Sequence, residues 1–70
     1  MTQNEMILAY LEKYGSITQA EAMASIGCYR LGARIWDLRH DGHRISAELE
    51  SGTNRHGEPV KYARYTLMEG

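Results

Sequence analysis

The stretch ARIWDLRHDGHRI, residues 33–45, changes its period halfway. Up to His40 the apolar positions keep helical spacing: Leu31 just upstream, Ile35 and Leu38 fall at i, i+4 and i+7 on one face. Arg30, Arg34, Asp37 and Asp41 share a second face, and Tyr29 and Trp36 lie on a flank, seven apart. Asp41-Gly42 ends the helix. From Arg44 onward the apolar residues alternate instead. A helix of about residues 29–40 therefore hands over to a strand across a tight turn. The stretch also holds three of the eight Lys and Arg residues, two of the three His and the only Trp. It is either a reader of nucleic acid or a core helix with a charged outer side.

Downstream, Ile45, Ala47 and Leu49 alternate with Arg44, Ser46 and Glu48, the pattern of a half-buried strand. ESGTNRHGEP, residues 50–59, reads as a turn-rich loop. In VKYARYTL, residues 60–67, Ala63, Tyr65 and Leu67 take one face and Tyr62, Arg64 and Thr66 the other. Two short strands around a polar loop make a β-hairpin. The tail MEG, residues 68–70, is expected to fray.

Upstream, Met6, Ile7, Tyr10, Leu11 and Tyr14 form the apolar stripe of an amphipathic helix over residues 4–14, with Thr2 or Asn4 as its cap and Gly15 as its stop. Ser16-Ile17-Thr18 is an extended link with Ile17 pointing inward. Thr18-Gln-Ala-Glu21 matches a capping box. It starts a short helix of small residues, Ala20, Ala22, Met23, Ala24 and Ile26, that stops at Gly27.

Composition bounds the alternatives. Seventy residues, 24% charged and 43% hydrophobic, make one globular domain, residues 1–70. A chain this short buries only about 60% of its unfolded surface, so a deep enclosed active site is not expected. Cys28 is the lone cysteine, which leaves no internal disulfide and suggests a reducing, cytoplasmic setting. No apolar run approaches the roughly 20 residues of a membrane span, and the first residues do not read as a signal peptide. The net charge of −1 hides an asymmetry. Residues 1–27 set Lys13 against Glu5, Glu12 and Glu21, giving −2, whereas residues 28–64 set seven cations against five acids, giving +2.

The fold class is therefore α+β: three helices followed by a two-stranded hairpin, the winged helix-turn-helix arrangement. The runs ITQAEAMASIGCYRLGARIWDLRHDGHRI and NRHGEPVKYARYTL carry a resemblance as well. Ile17 and Thr18, Glu21 and Ala22, Gly27, Arg30 and Leu31, residues 33–35 and 37–39, Gly42, Ile45, Tyr65 and Leu67 resemble the pattern of small winged helix-turn-helix domains common in bacteriophage and prophage proteins. The likeness spans nearly the whole chain. It implies binding to double-stranded DNA, as is generally inferred for that family.

Each candidate residue has two readings. Arg30 and Arg34 sit one turn apart near the start of the third helix, where base edges are usually met. Otherwise they are a solvated face paired to acids such as Asp37. Tyr29 either touches DNA or packs beside Trp36. Thr18 and Gln19 open the second helix and could receive a phosphate, although the capping box already accounts for Thr18. Arg55, His56 and Lys61 belong to the hairpin, which can reach the backbone or a minor groove, or else is a mobile polar turn. Trp36 is expected to pack under the hairpin or the first helix, with an exposed interface anchor as the other reading. His40 and His43 have loose metal-like spacing without partner ligands, and Cys28 has no evident His partner. No cofactor is implied. Without a phosphate loop, zinc motif or nucleophile elbow, the chain does not read as an enzyme.

Two functions compete. The first is a phage-type transcription regulator with the third helix in the major groove and the wing on the flanking backbone, paired as a homodimer because one copy covers one half-site. The second is a protein-binding module on the same fold, such as an anti-defence inhibitor of a host nuclease complex.

Overall fold

The computed structural model describes residues 1–68; Glu69 and Gly70, part of the tail expected to fray, lie outside them. The element order is α1 (Gln3–Tyr14), β1 (Ser16–Thr18), α2 (Gln19–Ser25), α3 (Leu31–His40), β2 (Ile45–Thr53) and β3 (Pro59–Leu67).

Local chemistry sets most of the boundaries. Thr2 caps α1 through a full capping box with Glu5, and Gly15 closes the helix at φ +89, a conformation that side chains with a Cβ resist. Thr18 and Glu21 form the expected second box. The end of α3 is tied by the His43 N–H donating to the Leu38 carbonyl at 3.1 Å, across Gly42 at φ +100.

The extended link is a strand. Ser16, Ile17 and Thr18 pair antiparallel with Thr66, Tyr65 and Arg64, so the sheet has three strands in the order β1-β3-β2. A three-residue strand carries too little alternation to be read from sequence, and only its partner defines it. The hairpin is also longer than the alternation suggested. Pairing runs from Ile45↔Leu67 out to Thr53↔Pro59, which shortens the loop to residues 54–58.

The core lies between the three helices and the root of the sheet. Ile7 and Leu11 of α1, Ile17 of β1, Ala22 of α2, Cys28, Leu31, Ile35 and Leu38 of α3, and Ile45 of β2 are buried together. Residues facing each other across a ladder share a side of the sheet. The side that carries Ile17, Ile45, Tyr65 and Leu67 packs on the helices. Farther out on that side the helices have ended, and Leu49 is 77% exposed. The expectation of an inward-facing Ile45, Ala47 and Leu49 thus holds only for Ile45. The alternation is real, but the hairpin projects past the body it would have covered.

Candidate nucleic-acid interface

The approach to α3 is built by Gln19. Its carboxamide donates to the Cys28 carbonyl at 2.6 Å and accepts the Leu31 N–H at 3.1 Å. Arg30, at the N-cap position of α3, makes no side-chain cap bond, and Gln19 reaches from α2 to satisfy the first of the helix's orphan N–H groups, that of Leu31. α3 begins at Leu31 and not at Tyr29. The side chains of Thr18 and Gln19 are engaged within the fold, which leaves the backbone N–H groups at the start of α2 to carry the phosphate-binding reading. Thr18 is 4% exposed and accepts the Glu21 N–H, and Gln19 is committed to joining the two helices of the motif.

Arg30 and Arg34 are separated in role. The side chain of Arg30 is exposed, with no carboxylate within ion-pair distance among the described residues. Arg34 lies half-buried at the α1–α3 seam, 3.3 Å from Asp37, whose same oxygen also accepts from the Asn4 amide.

The outer surface of α3 is aromatic. Tyr29, just before the helix, is 77% exposed and is not packed beside Trp36. Trp36 is 59% exposed and lies under neither the hairpin nor α1, which corrects the expectation of burial. Its ring stacks on His40 with centroids 3.6 Å apart, and a ring nitrogen of His40 lies 2.9 Å from the Trp36 carbonyl oxygen. Helical rotation explains the placement of Trp36: Leu31, Ile35 and Leu38 hold the inner stripe, and positions 36 and 40 turn to the opposite side.

The hairpin is tied to the body by Arg64, to which the sequence assigned no role. Its guanidinium donates to Glu50 at 2.8 Å and Ser16 at 3.0 Å, and lies 3.4 Å from Glu21, joining β2, β1 and α2. The hydrogen bond to Glu50 raises its pKa above the ordinary arginine value. Arg39, though exposed, is also engaged, donating to the Ile45 carbonyl at 3.0 Å. The tip is knitted by Asn54, whose Oδ1 accepts the N–H groups of His56 and Glu58 at 2.9 and 3.0 Å. Arg55 and His56 stand exposed on that tip, and Lys61 is exposed on β3, on the same side of the sheet as Tyr65. Tyr65 approaches α3, since a Cβ at Gly32 would stand 3.8 Å from its hydroxyl. The first turn of α3 and this side of the hairpin therefore border one another.

A helix–turn–helix pair, a third strand at its root and a projecting hairpin are now all in place. The family model described as winged helix-turn-helix domain matches residues 2–70. The chain belongs to that family. No curated protein and no solved structure matches it. In this winged helix the second helix of the motif is α3 and the wing is β2–β3, an architecture that suggests DNA binding. Among the described residues no three His, Cys, Asp or Glu side chains converge as a metal site, and no helix is long and apolar enough to cross a membrane.

Proposed function

We propose that the protein binds double-stranded DNA through the first turn of α3 and the wing, as a cytoplasmic transcription regulator of phage type that works as a dimer and not as an enzyme. One observation carries this reading: the division of the cations. Arg34, Arg39 and Arg64 are bonded within the fold. Arg30, Arg55 and Lys61, at the start of α3 and on the wing, are exposed and have no carboxylate partner among the described residues, while Lys13, also exposed, lies on α1 over the Tyr14 ring. Arg30 would meet base edges or phosphate, with Tyr29 beside it, and Arg55, His56 and Lys61 would meet the flanking backbone.

The test is fluorescence-anisotropy titration of duplex libraries across salt concentration. The expected result is binding that weakens as salt rises, with Arg30→Ala, Arg55→Ala and Lys61→Ala each reducing affinity and flattening the salt slope by about one per lost phosphate contact. Absence of any duplex binding by the wild type at low salt would sink the proposal.

The exposure of Tyr29 and Trp36 favours a second reading, the protein-binding module that inhibits a host nuclease complex. Under it, a stoichiometric host protein is recovered from nuclease-treated lysate by the wild type and lost with Trp36→Ala.

A further inference from the structure

The outer surface of α1, away from its core stripe, is a feature the DNA reading does not use. Met1, Met6, Ala9, Tyr10, Lys13 and Tyr14, with Ser25 and Ile26 from the end of α2, line an open, mainly apolar groove of about 290 Å³. Met1 is 82% and Tyr14 60% exposed, and the rings of Tyr10 and Tyr14 lie 4.5 Å apart along one wall. Together these side chains leave apolar surface that no element of the chain covers.

We infer that this surface is the homodimer interface, occupied by α1 of a second copy running antiparallel across Ala9. Charge complementarity along one stripe selects that occupant. Glu5, Ala9 and Lys13 are spaced i, i+4, i+8 and all three are exposed. A two-fold axis at Ala9 places each residue opposite the one equally far on the other side of position 9. Lys13 of one copy then faces Glu5 of the other, twice over, and the small side chain at the centre lets the helices approach. Met6 of each copy is carried alongside Tyr10 and Tyr14 of its partner. Such an arrangement is isologous and closes at two copies. It leaves α3 and the wing uncovered on both. The inference rests on the DNA-binding reading only in supplying the second copy that two half-sites need, and it is tested without DNA.

Sedimentation of the free protein over a concentration series is expected to show a dimer. Ala9→Glu, a change at an exposed position, is expected to leave the far-UV circular dichroism intact and abolish the dimer. Lys13→Glu is expected to dissociate it, and the double swap Glu5→Lys with Lys13→Glu to restore it. Because Glu5 also serves the α1 cap, a second measurement stands beside the swap. Ala9→Cys is expected to form an intermolecular disulfide on mild oxidation, whereas the wild type, whose Cys28 is buried, forms none. A monomer at every concentration overturns the inference. So does a dimer that survives Ala9→Glu, or failure of the Ala9→Cys variant to cross-link. DNA binding by a monomer would leave the DNA-binding reading standing and remove both the dimer and this interface.

Discussion

Gln19 caps a helix that begins twelve residues after it: its Oε1 accepts the Leu31 N–H at 3.1 Å while Nε2 of the same amide donates to the Cys28 carbonyl at 2.6 Å. The turn of the helix-turn-helix is therefore set by a side chain from the preceding helix. Gln19→Ala is expected to destabilise the fold by about 1–2 kcal/mol, the usual cost of a lost cap. Gln19→Glu keeps the acceptor but faces the Cys28 carbonyl with a second oxygen, and is expected to fall at or below the Ala variant. Urea unfolding followed by circular dichroism measures both.

Ile45 and Leu49 sit on the same side of β2 and should respond differently to truncation. Ile45 is 8% exposed in the core, and Ile45→Ala is expected to cost about 2–4 kcal/mol. Leu49 is 77% exposed, and Leu49→Ala is expected to stay within about 0.5 kcal/mol of the wild type. Paired urea melts check the difference, and equal losses would place the hairpin back over the helices.

Trp36 is the chain's only tryptophan, so its emission reports the outer surface of α3 alone. With 59% of its surface exposed, it is expected to emit at long wavelength and to be quenched readily by acrylamide. Trp36→Ala is expected to leave the melting temperature nearly unchanged. Protection from quenching on adding duplex DNA would place the bound ligand against α3.

Glu5 gives the fold an acid-side dependence. Hydrogen bonds from the backbone and side chain of Thr2 hold its pKa below the ordinary 4.5. A carboxylate with a depressed folded-state pKa adds stability above its unfolded pKa, and that stability is lost as pH falls from about 4.5 through the lowered value. Glu5→Gln keeps the capping geometry without the titration. Its stability is expected to fall less than that of the wild type between neutral and acid pH, as read by thermal melts across pH.

The order of elements could be read from local signals because each is a short-range device. The two capping boxes, the glycines that close α1 and α3, and the switch from helical to alternating period at Asp41-Gly42 are all written within a few residues. Those signals, with the apolar stripe of Leu31, Ile35 and Leu38, suffice for the winged helix-turn-helix order. Exposed cations and committed cations, by contrast, look alike in a sequence. Arg30 and Arg34 share a helical face, yet only Arg34 is engaged by Asp37, which Asn4 of α1 holds in place.

What the sequence by itself determined was where elements start, stop and turn, since caps, glycines and periodicity act through neighbours along the chain. Tertiary structure alone decided which alternating residues found a core, which arginines were engaged by partners within the fold, that Ser16-Ile17-Thr18 became a strand and that Gln19 capped a distant helix. The physical reason is the same in each case. Burial and hydrogen bonding depend on what stands opposite in space, and the projecting hairpin leaves Leu49 in water for want of a helix beside it.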